Sequence, residues 1–345
     1  MTMDWTVTAN LAQDSLNYFF KGTESQFLNN FYPTDSSEDN KTFNYWWLAH
    51  AVDVRLDAYL RTNEDRFLQL AEETYSYNRK RNGDTLIHDF YDDMLWNALA
   101  AFRLYQVTGK SAYLDDAKIV WEDLVATGWN EECGGGFAWR RSQMYYKNTP
   151  VNAPFIILST WLYQETQHSK YLDWGIKTYE WLRKTLLRDN EFVEDGINRQ
   201  QDGQIDTQWQ FTYNQGVYIG ACLGLYQITG DQQYVQRALR NAEVTIQLLS
   251  DGRVFHDEGE GGDEGLFKGI FYRYAAELVA QLPDKTQALQ TFIQAGSTLL
   301  VQRAEKEGHL LMGMDWSLAT SGKVPCSAQL SGMMAIEMAA KLTGN

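Results

Sequence analysis

The chain has 345 residues, a formal net charge of −15 and 14 % aromatic residues, with 12 Trp and 20 Tyr. That length is ample for a sizeable core. The acidic balance repels phosphate backbones, so it argues against nucleic acid as a partner and against strongly anionic substrates.

So many rings exceed what a plain helical core needs. Taken singly most of them fill core gaps, but together they suit a cleft that takes sugars or other polyols. Cys133, Cys222 and Cys326 are odd in number and widely spaced. They form neither a disulfide framework nor a CxxC metal site and read as reduced structural thiols. The opening MTMDWTVTANLAQDSLNYFF has no basic stretch followed by an unbroken apolar run, so it does not read as a signal peptide. No run approaches the roughly 18 apolar residues of a membrane span. The expectation is a soluble, cytoplasmic monomer, secreted only if a leader has been removed, with no cofactor, metal, membrane or nucleic-acid partner.

In chain order, one pattern recurs. Segments starting at Leu56, Phe102, Trp161 and Leu223 each end an apolar helix on a tyrosine, pass a polar turn that often carries Thr-Gly, and enter a second amphipathic helix. Gly at such a turn stops a helix because it accepts the left-handed conformation. Ser111 and Asp231 fall where the following helix needs an N-cap. The anchoring tyrosines are Tyr59, Tyr105, Tyr163 and Tyr226, spaced by 46, 58 and 63 residues, which fits one helical hairpin plus a variable loop. A fainter fifth copy contains Pro283, which breaks its first helix. The last segment, AIEMAAKLTGN, is the first half of a sixth copy, and the helix near Trp5 to Phe20 supplies its second half.

This predicts inner helices over 43–60, 91–107, 150–166, 213–229, 266–281 and 327–342. Outer helices are predicted over 5–20, 64–81, 111–127, 169–188, 232–250 and 285–306. No alternating run is long enough for a core strand, although short loop hairpins fit. The inferred architecture is all-α, a single-domain (α/α)6 barrel over residues 1–345. The outer-to-inner loops are the long ones, and long loops in a compact domain are usually functional.

Asp92 and Asp93 start the second inner helix, at the loop-rich end, with Tyr91 and Trp96 beside them. Paired carboxylates can perform glycosidase chemistry, and neighbours at a helix start suit the separation of about 5–5.5 Å that retaining enzymes use. The same acids can equally be first-turn or capping residues favoured by the helix dipole. Cys133-Gly134-Gly135-Gly136 lacks the GK[ST] of a phosphate loop. It reads either as a tight loop presenting Trp139 and Tyr145 to a cleft or as a hairpin turn without ligand. The stretch Glu194–Gly216 combines Asp195, Asp202, Asp206, Trp209, Tyr213, Asn214 and Gln215, which suits sugar hydroxyls, whereas the calcium-loop pattern is absent. Phe267 and Lys268 open the fifth inner helix, where Lys268 can offset the acids of 257–264. No histidines are paired at HxxxH spacing. His88 lies close enough to the acids to tune them, or else faces solvent. No Gly-x-Ser-x-Gly elbow occurs.

YDDMLWNALAAFRLYQVTG resembles the catalytic segment of glycoside hydrolase family 76, the endo-α-1,6-mannanases. CGGGFAW with YKNTPVN resembles the family's second segment through Cys133, Gly134, Gly135, Gly136, Trp139, Lys147, Asn148 and Asn152. WQFTYNQG does so through Trp209, Thr212, Tyr213, Asn214, Gln215 and Gly216. LFKGIFYR does so through Phe267, Lys268, Gly269, Ile270, Phe271 and Arg273, and Asp195-Gly196 fits the family's DG. The resemblance implies an (α/α)6 barrel and a retaining hydrolase of α-1,6-linked mannosides, with Asp92 as nucleophile and Asp93 as acid/base. Spacing alone does not assign those two roles. Together the two readings give Tyr91, Trp96, Trp139, Tyr145, Lys147, Asn148, Asp195, Trp209, Tyr213, Asn214, Gln215, Phe267 and Lys268 as candidate contacts to a mannose-containing glycan. The insert INRQQDGQIDTQ departs from the family's pattern, and beyond Arg273 the match is to barrel helices only. A sugar 2-epimerase would want a histidine pair that this chain lacks, and a non-catalytic glycan-binding barrel would have no need of both acids.

Overall fold

A computed structural model describes residues 3–22 and 27–344. Twelve α-helices occupy most of them. They are α1 (Trp5–Phe20), α2 (Tyr45–Thr62), α3 (Asp65–Arg81), α4 (Tyr91–Thr108), α5 (Ser111–Thr127) and α6 (Thr149–Thr166), then α7 (Ser169–Thr185), α8 (Thr212–Thr229), α9 (Gln232–Leu249), α10 (Phe267–Gln281), α11 (Gln287–Ala304) and α12 (Cys326–Thr343). Every helix expected from the periodicity is present. The largest shift is at α7, which stops at Thr185 instead of 188. Among the described residues strands are confined to short loop pairings, as the missing alternation implied: β1 (Phe31–Tyr32) with β7 (Val324–Pro325), β2 (Ala138–Arg140) with β3 (Gln143–Asn148), β3 with β4 (Gly196–Ile197), and β5 (Glu305–Lys306) with β6 (His309–Leu310). No helix among the described residues is long and apolar enough to cross a membrane.

The repeat has a stereochemical basis. The residues after the four repeat helices, Asn63, Gly109, Gln167 and Gly230, are all left-handed, with φ of 56°, 68°, 56° and 70°. Each donates its N–H to the carbonyl of the anchoring tyrosine, Tyr59, Tyr105, Tyr163 or Tyr226. The turn therefore closes in the same way whether or not glycine is present, with Asn and Gln accepting the strain at two of the four places. Asp231 caps α9 as expected, its Oδ1 accepting the Gln233 N–H at 2.9 Å. Ser111 does not cap α5. It is the first helical residue, and Lys110 occupies the cap position without a side-chain bond.

The chain forms two compact units, one from the segments up to Asn78 and from Ile246 onward, the other from Arg79–Thr245. In the continuous unit, α4 packs on α5 and α6, and α6 packs on α7 and α8. The helices α4, α6 and α8 are buried on nearly all sides over their first turns, whereas α5 buries only Leu114, Ala117, Val120, Trp121 and Leu124. That spacing is one helical stripe, the mark of an outer helix. The Trp121 indole donates to Ser159 Oγ at 2.7 Å and pins α5 to α6.

In the split unit, α12 is the buried centre, with α1, α2, α10 and α11 packed on it. The ends of the sequence thus complete one hairpin, as the half-copy at the end of the repeat predicted. A buried polar cluster fixes their register. Gln13 of α1 donates to Glu337 Oε1 (2.9 Å) and to the Val54 carbonyl (2.8 Å), and accepts from Arg55 (3.0 Å). Arg61 clasps Glu337 through Nε and Nη2, at 2.8 and 3.1 Å. Asp57 and Arg273 make a second two-pronged pair, at 3.1 and 2.7 Å.

Candidate active site

The site's frame in the continuous unit is the β2–β3 hairpin lying against the segment that leads into α4. Arg140 pairs as a β-bridge with Phe90. Arg141 donates its backbone N–H to the Asp89 carbonyl (2.9 Å) and its Nε to the His88 carbonyl (2.9 Å). The Arg141 guanidinium also binds the Asp123 carboxylate and Thr127 Oγ1. Asp89 in turn accepts from the N–H and hydroxyl of Ser142, at 3.1 and 2.8 Å. Sequence reading missed Arg141 and Ser142, because a two-residue hairpin turn carries no sign of which distant segment it touches.

This clamp brings Trp139 to the acids. Its indole Nε1 donates to Asp92 Oδ2 at 3.0 Å, while Asp92 Oδ1 accepts the Asp93 N–H at 3.1 Å. Neither acid is the N-cap, which is Phe90; both lie inside the first turn of α4, the other half of the dipole reading. Both oxygens of Asp92 thus act as acceptors, one from a side chain and one from the backbone. Asp93 is partly buried, with Oδ2 at 3.7 Å from His88 Nδ1. His88 is half-buried rather than solvent-facing, and its ring stacks on Phe90. Burial pushes its pKa below the usual imidazole range, with Asp89 pulling the other way, and Nδ1 accepts the Phe90 N–H at 3.3 Å. Trp96 is buried one turn behind the acids, and Tyr91 is buried with its hydroxyl on Thr127 at 3.0 Å.

The glycine triplet does not form the hairpin turn, which is Arg141-Ser142 between the paired Arg140 and Gln143. Residues 133–136 instead run left-handed throughout, with φ from 56° to 121°. A Cβ on Gly136 would stand 2.6 Å from the Trp181 ring. Gly136→Ala should therefore destabilise the protein by roughly 1–3 kcal/mol through strain and overpacking, readable as a lower melting temperature. Lys147 is fully buried behind this loop, its Nζ donating to the Gly136 carbonyl (2.8 Å) and Asn130 Oδ1 (2.7 Å). Burial lowers its pKa to about 8. Asn148 is buried at the start of α6, where its carbonyl accepts from Asn152, and Tyr145 is partly exposed on β3 with its carbonyl bound by Asn198.

Asp195 is the centre of a second cluster. Its carboxylate accepts from Tyr146 OH (2.7 Å), Asn214 Nδ2 (2.9 Å) and Arg199 Nη2 (2.9 Å), with Tyr213 OH at 3.5 Å. Burial lifts its pKa above the ordinary range, against the pull of those three partners. Gln215 is spent on the backbone of Val193 and on Asn241. Asp206, another acid of that stretch, binds Arg199 Nε at 2.9 Å. Trp209 is half-exposed over the Arg199 guanidinium. The structure therefore joins Asp92, Trp139, Tyr146, Asp195, Asn214 and Trp209 in one contact chain, and uses Lys147 and Gln215 to hold backbone. In the split unit, Phe267 and Lys268 are buried at the start of α10. Lys268 Nζ donates to the Met314 carbonyl at 2.7 Å, and burial lowers its pKa while Glu258, Asp257 and Asp315 raise it.

A family model described as glycosyl hydrolase family 76 matches residues 5–343. The chain is 62 % identical to the Lin0763 protein from Listeria innocua, whose crystal structure superposes with a TM-score of 0.97 over 99 % of this chain and 98 % of that one. It is 34 % identical to the GH76A alpha-1,6-mannanase from Salegentibacter sp. HEL1_6, with a TM-score of 0.90 over 98 % of this chain and all of that one. A solved structure shows an inactive variant of that mannanase, altered at two consecutive aspartates, in complex with alpha-1,6-mannotriose. A curated relative, the mannan endo-1,6-alpha-mannosidase DCW1 of Candida glabrata, is 25 % identical over 209 residues, which are 56 % of this chain and 47 % of the relative. The chain spans about half the length of the first curated relatives it matches. Its twelve helices, alternating inner and outer, and these structural likenesses make the fold class the (α/α)6 barrel. By the family model and the ordered motifs around Asp92, Gly136, Asp195 and Lys268, the chain belongs to glycosyl hydrolase family 76.

Proposed function

We propose that the protein is a retaining glycoside hydrolase that cleaves α-1,6-linked mannosides, with Asp92 as nucleophile and Asp93 as acid/base. The observation that carries this reading is the placement of Asp92. It stands in the first turn of α4 with one oxygen held by the Trp139 indole and the other by the Asp93 N–H. Consecutive aspartates altered in an inactive relative that holds alpha-1,6-mannotriose support the same pair.

Asp92 attacks the anomeric carbon of the sugar while Asp93 gives its proton to the departing glycosidic oxygen. The bond from sugar to leaving oxygen breaks as the bond to the Asp92 carboxylate forms. Water then enters, Asp93 takes its proton, and the second displacement restores the starting anomeric configuration. Trp139 fixes which oxygen of Asp92 is bound and which way the carboxylate faces, so little reorganisation accompanies the attack. The first turn of α4 adds the positive end of the helix dipole beside the acids.

The test is incubation of the wild-type protein with linear α-1,6-mannan and α-1,6-mannotetraose, with products followed by chromatography and proton NMR. The expected result is release of mannooligosaccharides whose first-formed reducing end is the α-anomer. Release of none overturns the mannoside reading, and first-formed β-anomer overturns the retaining mechanism.

A further inference from the structure

Trp209 is the only tryptophan among the exposed large apolar side chains of the described residues, at 39 % exposure. One face of its ring is covered, because the Arg199 guanidinium lies 3.7 Å from the ring centroid. Arg199 is itself immobilised. Its Nε donates to Asp206 Oδ2 at 2.9 Å, and its Nη2 donates to Asp195 Oδ2 at 2.9 Å and to the Tyr146 hydroxyl. Those anchors are fixed in turn, with Asp195 buried and bound by Asn214 and Tyr146. The loop that carries the indole is closed on itself by the Asp206 N–H on the Gly196 carbonyl (2.9 Å) and by the bridge between Ile197 and Ile205.

We propose that Arg199 is a positioning residue that makes Trp209 a rigid stacking platform for one pyranose ring of the glycan. This rests on the α-mannoside reading. An aromatic face takes the C–H face of a sugar, and an indole whose orientation is set beforehand loses little entropy when the ligand arrives. Arg199 is flanked by two carboxylates, so its charge is spent within the protein and the platform favours a neutral ring over an anionic one. The platform is separated from the nucleophile by a chain of side chains. Asp92 holds Trp139, Trp139 meets Tyr146 edge-on at 5.8 Å, Tyr146 binds Arg199, and Arg199 covers Trp209. On this proposal the ring stacked on Trp209 is a different unit of the glycan from the one attacked at Asp92. Arg199 lies in the insert that departs from the family's pattern, whereas Trp209 opens the family-like WQFTYNQG segment, so what this chain's insert adds is the backing of the ring.

The test uses the Asp92→Asn protein as a binding background and titrates it calorimetrically with α-1,6-mannotetraose and α-1,6-mannobiose. Trp209→Ala in that background should weaken mannotetraose binding about tenfold, as expected for loss of one aromatic stack. Arg199→Met should weaken it by about three- to tenfold, and Arg199→Lys should not restore it, because an ammonium cannot hold both carboxylates and lie flat on the ring. Mannobiose binding should change less than mannotetraose binding in each variant. Because Arg199→Met also strips a partner from two acids, Trp209→Ala, a truncation at an exposed position, is the variant that leaves the core untouched. Arg199 variants that melt earlier but bind mannotetraose as their parent does overturn the positioning role. An unchanged affinity in Trp209→Ala overturns the platform while the mannoside reading stands. A parent that binds no mannotetraose overturns both.

Discussion

Asp92→Asn and Asp93→Asn should each lower turnover of α-1,6-mannotetraose by about three orders of magnitude or more, and they should separate on an activated substrate. An aryl α-mannoside whose leaving group is a nitrophenolate departs without a proton. On that substrate Asp93→Asn should recover glycosyl-enzyme formation, while Asp92→Asn should stay inactive, because no group remains to form the covalent intermediate. The reverse pattern would exchange the two roles, and full activity of either variant on mannotetraose would remove that residue from the chemistry. Trp139→Phe isolates the indole bond to Asp92 Oδ2. A hydrogen bond to a charged group contributes about 1.5–3 kcal/mol, so kcat should fall roughly ten- to a hundredfold with little change in KM. An equal loss through KM would instead mark Trp139 as a binding surface.

Arg61→Met should be among the most damaging substitutions away from the acids. Arg61 holds both oxygens of Glu337, and the two side chains are 7 % and 2 % exposed. Removing one partner of a buried pair leaves an uncompensated charge, at a cost of about 3–5 kcal/mol. The damage should depend on pH. Burial raises the pKa of Glu337 above its ordinary value, with Arg61 and Gln13 pulling it down. A raised carboxyl favours folding most below its unfolded value of about 4.3 and loses that contribution as pH rises through the folded value. Without Arg61 the folded value rises further, so the melting temperature of the variant should approach that of the wild type near pH 4.5 and fall away from it toward pH 8. A pH-independent difference would mean that Arg61 acts through packing alone.

The helical frame was legible because its signals are local. A 3.6-residue stripe marks α5 as an outer helix whatever it packs against, and the tyrosine-to-turn repeat is written in the cap geometry at Asn63, Gly109, Gln167 and Gly230. The placement of Asp92 and Asp93 in the first turn of α4 was legible because the helix start is marked locally. What stayed hidden was partner choice inside those loops. Lys147 reads as a basic residue offered to a ligand, yet its ammonium is consumed by a carbonyl of the glycine loop. Arg199 has no periodic neighbour to betray that it joins Asp195 to Asp206 and backs Trp209. Ser111 failed as a cap for a smaller reason. The turn closed one residue earlier, so Lys110 took the cap position while Thr108 Oγ1 accepted its N–H.

The packing of α1 and α2 on α12 also sets a timetable for synthesis. On the ribosome, α1 and α2 emerge early, but α12, the helix they both pack on, follows only after the whole of 79–245 has been translated. At cellular elongation rates that interval is on the order of ten seconds. During it Arg61 has no Glu337 to clasp and the apolar faces of α1 and α2 lack their final cover, whereas every residue of the intervening continuous unit has already been made. Nascent chains stalled just before Cys326 should accordingly protect 79–245 from protease while α1 and α2 remain open to cleavage and to chaperones.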